Sequence, residues 1–384
     1  MTIHHLQSPT PSSHQHALGT QLTSEPHSFP KSHQFAVESS DTADFPRPSI
    51  EAAVIEYGAR LMSVRVTDRR NRPVNVLLGL PKPEDYQVDN AFLGAIIGRN
   101  ANRIAGAKCC IKGVEYRLAA NERSNNTHSG PDGFDRRIWR VTAQSRDHVT
   151  LTLHSPHGDQ GFPGTMHIQA TYRVGPGTLD LLVEAECDHT TVANMTSHVY
   201  WNLAGESHSD VLGHELMIPT GEFHPTDGDF IPLPHVPVHG TAMDFHTPRP
   251  IGEAMRLGFA QGDQQLSLAH GYNHAFVFKD AAGEVDGAAK ADSVTGMRPV
   301  AVLSCPDTGL RMTEYANVPA VLAYSAGFLE GIVGSGGVTY GSASGIALEP
   351  GFVPNAVNDR SAVAPILPAG ERYRLHVRWE FEWC

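Results

Sequence analysis

The C-terminal segment of the chain alternates between apolar and polar residues with a period of two. The apolar positions are Tyr373, Leu375, Val377, Trp379, Phe381 and Trp383, and the polar ones are Arg374, His376, Arg378, Glu380 and Glu382. Successive side chains of a β-strand point to opposite faces, so this spacing predicts a long strand with one buried face. Residues 179–187 alternate in the same way, and residues 149–153 give a shorter example.

Runs of this kind recur from about Ser49 to the C-terminus, and glycine- and proline-rich turn signals separate them, for example at 132–133, 175–177 and 334–337. A weak helical pattern occurs only from Ile251 to Ala260. The polar segment from Asp280 to Arg298 has little to bury and is predicted to be a surface loop between strands. Many short strands and almost no amphipathic helices predict an all-β fold, a large antiparallel β-sandwich with few short helices.

The chain has 384 residues, of which 40% are hydrophobic, enough for a large core. Residues 1–33 are rich in Ser, Thr, Pro, Gln and His and have no apolar periodicity, which predicts a disordered tail. Its histidines are irregularly spaced, so we interpret them as solvated side chains and predict no metal site. Residues 34–384 are predicted to form a single domain.

The overall charge and the cysteine pattern restrict the partners and the compartment. The net charge is −12 and no Lys/Arg-rich block exists, which argues against nucleic acid and membrane surfaces as partners. The five cysteines are an odd number without a CxxC pair, which is typical of reduced thiols in a cytoplasmic protein. We find no phosphate-binding glycine motif of the nucleotide folds. Monomer and homodimer both stay open.

Residues 194–203 surround His198 with amides and two aromatic side chains, Tyr200 and Trp201. Histidine exchanges a proton near neutral pH, and aromatic faces suit the carbon face of a sugar ring. We therefore predict that His198 is catalytic and that Trp201 contacts a sugar. The ordinary alternative is a core histidine that is hydrogen-bonded to the backbone.

Three further segments concentrate polar groups. Asn102 and Arg103 follow an apolar lead-in and could hold hydroxyl or anionic oxygens, or simply form a surface ion-pair cluster. His128 lies in a Gly/Asn-rich loop, where histidines are often only solvated. Glu349 follows an apolar strand, where burial would raise the pKa of its carboxyl toward the range of a general base; an ordinary turn glutamate is the alternative.

Read together and in order, the motifs resemble those of the aldose 1-epimerase (galactose mutarotase) family. The resemblance extends from about Ile55 to the C-terminus. The matching stretches are 68–79, 97–104, 128–139, 161–164, 196–203, 231–232, 240–245, 271–274, 327–331 and 348–358. Several motifs in one order over this length are far more specific than any single one.

The resemblance implies a galactose mutarotase-like supersandwich that interconverts the α- and β-anomers of a free aldose by opening and closing the pyranose ring. It implies that Glu349 is the base and His198 the acid, and that the two exchange roles on closure. His128 and Arg103 would hold and polarise the oxygens of the sugar, with Asn102 assisting. It also implies a small monosaccharide as partner, and no metal or organic cofactor.

The chain also departs from the family pattern. Asn273 stands where many members carry an aspartate that contacts sugar hydroxyls, and a glutamine of the sugar site is replaced around Val318. Residues 350–353 and Asn355 differ from the usual residues that follow Glu349. These changes indicate that anomer exchange is retained while the contacts to the ring hydroxyls change, which leaves a preference for galactose open.

Three other functions are compatible with parts of this pattern. An epimerase of a phosphorylated or otherwise modified sugar would need additional basic residues, for which Arg99 is the obvious spare. A non-catalytic sugar-binding β-sandwich would not need both His198 and Glu349. A glycosidase would need a second carboxylic acid, and Asp244 and Glu330 are the candidates.

Overall fold

The structure, a computed structural model, describes residues 30–37, 47–208 and 210–384. In chain order, the strands of the first half are β1 (Ser32–Val37), β2 (Ile50–Ile55), β3 (Arg60–Thr67), β4 (Pro73–Asn75), β5 (Ala95–Ile97), β6 (Arg103–Ile104), β7 (Lys108–Ile111), β8 (Val114–Arg117), β9 (Asn126–Thr127), β10 (Arg140–Gln144), β11 (His148–Ser155), β12 (Met166–Gly175), β13 (Thr178–Cys187) and β14 (Thr191–Val192). The strands that follow are β15 (Thr196–His198), β16 (Tyr200–Trp201), β17 (Glu215–Met217), β18 (Glu222–His224), β19 (Val236–Pro237), β20 (Arg249–Pro250), β21 (Asn273–Val277), β22 (Arg298–Cys305), β23 (Leu310–Ala316), β24 (Ala320–Tyr324), β25 (Ile332–Val333), β26 (Thr339–Tyr340), β27 (Ile346–Gly351), β28 (Ile366–Leu367) and β29 (Arg372–Trp383).

Helices are few and short. The α-helices of the described residues are α1 (Ile251–Ala260) and α2 (Gln264–Ala269), and single 3₁₀ turns cover Pro83–Val88, Ala105–Ala107, Phe134–Arg136, Asp159–Gly161 and Ala356–Asn358. The prediction of α1 is confirmed residue for residue. The sequence analysis missed α2 because six residues are too short to display a helical period. Its N-terminus is capped by Asp263, whose Oδ1 accepts backbone N–H bonds from Gln265 (2.8 Å) and Leu266 (3.0 Å).

A nine-stranded antiparallel sheet has the order β10-β11-β12-β13-β29-β23-β22-β17-β20. In its middle, Leu181 of β13 lies opposite Val377 of β29. The predicted alternation of β29 is confirmed: Tyr373, Leu375, Val377, Trp379 and Phe381 are buried and the residues between them are more exposed, although Trp383 is only half-buried.

One apolar core is shared by three sheets. The four-stranded sheet β1-β2-β3-β4 contributes Val54 and Leu61, the nine-stranded sheet contributes Leu181 and Trp379, and a six-stranded sheet contributes Leu348. The sheets pack face to face across these side chains, which excludes the apolar faces of all three from water. The prediction of an antiparallel β-sandwich is confirmed.

The six-stranded sheet, of order β16-β27-β24-β21-β18-β19, has a second face that turns away from this core. In β27, Leu348 points into the core, and its neighbour Glu349 therefore points the other way. Tyr324 of β24 lies opposite Asn273 of β21, and Leu322 lies opposite Glu349. This outer face gathers polar side chains that come from three different strands.

Two predictions concern the ends and loops of the domain. Strand β1 begins at Ser32 and pairs with β2, so ordered structure starts two residues before the predicted boundary at residue 34; hydrogen bonding to β2 fixes residues whose composition resembles a tail. The predicted tail otherwise falls on residues 1–29, which lie outside the described residues. The surface loop is confirmed for residues 280–297, and Arg298 already begins β22. No helix of the described residues has the length and apolarity needed to cross a membrane.

Candidate active site

A cavity of about 840 Å³ opens on the outer face of the six-stranded sheet. Its size lies in the range of small-molecule sites, roughly 300–1,000 Å³. Six of the seven predicted site residues line it: Asn102, Arg103, His128, His198, Asn273 and Glu349. The structure thus brings together side chains that are up to 247 positions apart in sequence, as for Asn102 and Glu349.

Glu349 and His198 face each other in this cavity. His198 Nε2 lies 3.6 Å from Glu349 Oε1, and both side chains are about 95% buried or more. His198 ends the short strand β15, which pairs with β5 so that His198 lies opposite Ala95. Both groups therefore stand on paired strands rather than on free loops, which fixes their separation.

Burial moves the pKa values of the two groups in opposite directions, since it disfavours the charged form of each. It raises the pKa of the Glu349 carboxyl to about 8, although the Asn102 amide and the charge of Arg103 favour the carboxylate. It lowers the pKa of the His198 imidazole to about 3. Burial therefore favours the neutral form of both groups, the carboxylic acid of Glu349 and the neutral imidazole of His198.

Asn102 connects Glu349 to His128. Its side-chain Nδ2 donates to Glu349 Oε2 over 3.3 Å, and its backbone N–H donates to His128 Nδ1 over 3.3 Å. Asn102 (φ 63°) and His128 (φ 50°) both adopt the left-handed backbone conformation, which asparagine and histidine tolerate better than most residues. Both side chains line the cavity, next to the β6 and β9 pair.

His128 is held as a neutral donor. Its Nδ1 accepts the Asn102 N–H, so the imidazole proton lies on Nε2. Burial, together with His198 and Arg103, lowers the pKa of His128 well below its usual value. The ring of Phe92 packs against His128 at a centroid distance of 4.5 Å and against His198 at 5.7 Å. The three rings fix one another without a charge on either imidazole.

Arg103 is fixed from two sides. Glu122 accepts two hydrogen bonds from it, from Nε at 2.6 Å and from Nη2 at 2.8 Å. The guanidinium carbon also lies 5.0 Å from the centroid of the Phe230 ring. Arg103 itself is paired with Thr127 between β6 and β9. The sequence analysis found Arg103 but not these two partners, because neither carries a recognisable motif.

The prediction that Trp201 contacts a sugar is wrong. Trp201 is fully buried on the core side of β16, where it packs against Trp379 at 5.4 Å and Phe381 at 5.8 Å between ring centroids. Its neighbour Tyr200 lines the cavity instead, with its ring 5.0 Å from that of His198. The reason is the period of a strand: residues 198 and 200 share one face, and residue 201 takes the other.

The departures from the family pattern lie at different places. Asn273 lines the cavity, whereas Val318 is buried in the main core. The residue that the register places beside Glu349 is Leu322. Asn355 supports β6, since its backbone N–H donates to the carbonyl of Arg103 (2.7 Å). Only the change at Asn273 therefore alters the lining of the cavity directly.

Other titratable groups are placed less favourably for chemistry. Asp244 lies beside His239 and does not line the cavity, whereas Glu330 lines it but is exposed. Across residues 30–37, 47–208 and 210–384, no three histidine, cysteine, aspartate or glutamate side chains are grouped as metal ligands. Tyr324 and Phe328 are further lining residues that the sequence analysis missed, because single aromatic residues in strands and turns carry no positional signal.

Comparison with known proteins agrees with this fold. A family model described as aldose 1-epimerase matches residues 46–380. The aldose 1-epimerase of Escherichia coli K12 is 35% identical over 332 residues, which cover 85% of this chain and 91% of that protein. The galactose mutarotase of Rattus norvegicus is 32% identical over 329 residues, covering 85% and 89%. The crystal structure of an aldose epimerase homologue from C. elegans superposes with a TM-score of 0.78 at 22% identity, covering 92% of this chain and 99% of that chain, and supports the fold alone. The chain belongs to the aldose 1-epimerase family.

Proposed function

We propose that this protein interconverts the α- and β-anomers of a free aldose, with Glu349 and His198 as the acid–base pair. The observation that carries the proposal is the distance of 3.6 Å between His198 Nε2 and Glu349 Oε1, two buried side chains that line the cavity. At this spacing, the two groups can each reach one of the two oxygens on a single anomeric carbon. Ring opening needs such a pair, one group for the C1 hydroxyl and one for the ring oxygen.

The pair shares one proton, and the reaction moves it. In opening, the Glu349 carboxylate takes the proton of the C1 hydroxyl while His198 gives a proton to the ring oxygen, and the C1–O5 bond breaks. Rotation about the C1–C2 bond presents the other face of the aldehyde, and closure runs the same transfers backward. Burial favours the neutral pair, and transfer of its one proton from Glu349 to His198 gives the carboxylate–imidazolium form that starts opening.

Four neighbours are proposed to position the sugar. His128 Nε2–H and the free edge of the Arg103 guanidinium are donors for oxygens that gain charge during opening. Asn102 holds Glu349 Oε2, so that Oε1 is left for the substrate. Asn273 offers both a donor and an acceptor to ring hydroxyls. The proposal assigns the orientation of the sugar to these residues and involves no metal or organic cofactor. A cytoplasmic location remains a prediction from the cysteine pattern.

A purely sugar-binding module is a less satisfactory explanation. Such a module gains nothing from a buried carboxyl whose pKa is raised to about 8 next to an imidazole whose pKa is lowered to about 3. Strongly shifted pairs in a cavity are typical of acid–base catalysis. The geometry therefore favours an enzyme.

The test is polarimetry of freshly dissolved α-D-glucose, α-D-galactose, D-xylose and L-arabinose with wild type and Glu349→Gln. We expect acceleration by wild type and a loss of kcat/KM of about 10³-fold or more in the variant. Glu314→Gln is the matched control, since Glu314 is also fully buried on a strand but lies in the core. No acceleration of any aldose by wild type, or equal activity of wild type and Glu349→Gln, would contradict the proposal.

A further inference from the structure

We propose that Glu122 is a specificity-determining residue that makes the cavity select neutral aldoses over negatively charged ones, by occupying and neutralising Arg103. The inference rests on the proposed function, because it concerns the sugar that reaches Glu349 and His198. Glu122 does not take part in proton transfer. It acts through Arg103.

The Glu122 carboxylate and the Arg103 guanidinium form a bidentate ion pair, the geometry in which a guanidinium commonly binds an anion. Both carboxylate oxygens are engaged, Oε2 by Nε (2.6 Å) and Oε1 by Nη2 (2.8 Å). A carboxylate or phosphate of a ligand would bind that same edge of the guanidinium best. One of the two edges at which the guanidinium could bind an anionic substituent is therefore already filled by a side chain of the protein.

Glu122 is held in this position by its own turn. The Asn125 backbone N–H donates to the Glu122 carbonyl (2.9 Å), and the Glu122 N–H donates to the Asn125 carbonyl (3.2 Å). The turn leads directly into β9, where Thr127 is paired with Arg103. The next residue, Arg123, bonds to Asp229 and to the carbonyl of Gly228 (3.2 Å), in the segment that also carries Phe230. Backbone pairing thus fixes the turn of Glu122 relative to Arg103, and the Arg123 side chain joins this turn to the segment of Phe230.

The charges of the cavity make this pairing decisive. Among the described lining residues, Arg103 is the one lysine or arginine, and the acids are Asp85, Asp89, Glu122, Glu330 and Glu349. Asp89 is neutralised by the buried Arg60, whose Nη1 lies 2.6 Å from Asp89 Oδ2. Arg103 carries the one remaining positive side-chain charge among these lining residues, and the Glu122 carboxylate offsets it. A negatively charged sugar therefore meets a neutral to acidic wall.

The experiment compares D-glucose with D-glucuronate, an aldose that mutarotates in the same way but carries a carboxylate. The ratio of kcat/KM for glucuronate to kcat/KM for glucose is measured by polarimetry at pH 7 and low salt for the full chain. Glu122→Gln keeps the size of the side chain and frees the cation, so we expect the ratio to rise about three- to tenfold. The side chain in Glu122→Asp is one methylene shorter, which weakens the pair with Arg103 and should raise the ratio less. This variant serves as the test if Glu122→Gln does not fold.

Arg123→Gln is the control for damage to the turn, because it removes the bond to Asp229 and leaves the Glu122–Arg103 ion pair in place. Its ratio should stay within about twofold of wild type. An unchanged ratio in Glu122→Gln, or an equal rise in Arg123→Gln, would overturn the inference. A wild type that accelerates neither sugar would instead contradict the proposed function. In that case, NMR titration with D-glucuronate still decides the selection: tighter binding by Glu122→Gln than by wild type supports it, and equal binding refutes it.

Discussion

In the part of the chain that the structure describes, two glutamates are buried on antiparallel strands, Glu314 in the core and Glu349 at the cavity. Burial raises the pKa of both carboxyls. Glu314 meets the indole of Trp379, whose Nε1–H donates to its Oε1 over 3.1 Å, and it faces other core side chains. Glu349 meets His198 and Asn102, and it faces an open cavity.

The difference between the two sites teaches that a shifted pKa by itself does not identify a catalytic group. Desolvation raises the pKa of both carboxyls and so favours the neutral form of each. Only Glu349 has, in addition, a second titratable group within reach and a path for a substrate. Access for a substrate and a titratable partner therefore distinguish a catalytic carboxyl from one that is only packed in the core.

The largest effect is expected from removing the partner. His198→Asn takes away the group that serves the ring oxygen, so kcat/KM for the best aldose should fall about 10²-fold or more. His214→Asn is the matched control, because His214 is also buried and burial likewise lowers its pKa, to about 4, but it does not line the cavity. Similar losses in the two variants would show that the effect comes from removing a buried histidine in general.

The pH profile tests whether the pair carries one proton. Because the pKa of Glu349 is raised to about 8 and that of His198 is lowered to about 3, the pair keeps one proton between these values and loses it above the upper one. We therefore expect kcat/KM to decline as the pH rises through about 8, approaching a tenfold loss per pH unit. Glu314→Gln should leave the profile unchanged. A rate that climbs steadily from pH 7 to 9 would be incompatible with a shared proton.

The smallest effect on activity is expected on the core side of the sheet. Trp201→Phe should destabilise the fold by about 1–3 kcal/mol through lost packing against Trp379 and Phe381, while KM changes by less than about twofold. Tyr200→Phe, one residue away on the cavity face, should change kcat/KM more and stability less. Thermal unfolding and polarimetry on both variants measure this contrast. An altered sugar preference in Trp201→Phe would argue against our placement of the two faces.

Much of the fold could be predicted because apolar residues recur at every second position of its long strands. The alternation in β13 and β29 reports which side of a sheet is buried, and the helical period of α1 is just long enough to read. Sheet order could not be predicted, because pairs such as β13 and β29 are held by contacts between distant segments. The start of β1 was missed for the same reason, since only its partner β2 distinguishes it from the preceding residues.

The candidate site was predictable where residue type alone signals chemistry. Glu349, His198 and His128 belong to that group, and the motifs place them together through resemblance. Glu122 and Phe230 could not be predicted, because their role comes only from contact with Arg103. Trp201 was predicted wrongly because proximity in sequence to His198 was given more weight than the alternation of strand faces.

The central claim is that Glu349 and His198 act as one unit. A double-mutant cycle tests it most directly, with kcat/KM measured for wild type, Glu349→Gln, His198→Asn and the double variant on the same aldose. Groups that share one proton transfer are strongly non-additive, so the double variant should be no more than about threefold worse than Glu349→Gln alone. If the two single losses instead multiply in the double variant, the groups act independently and the account is contradicted.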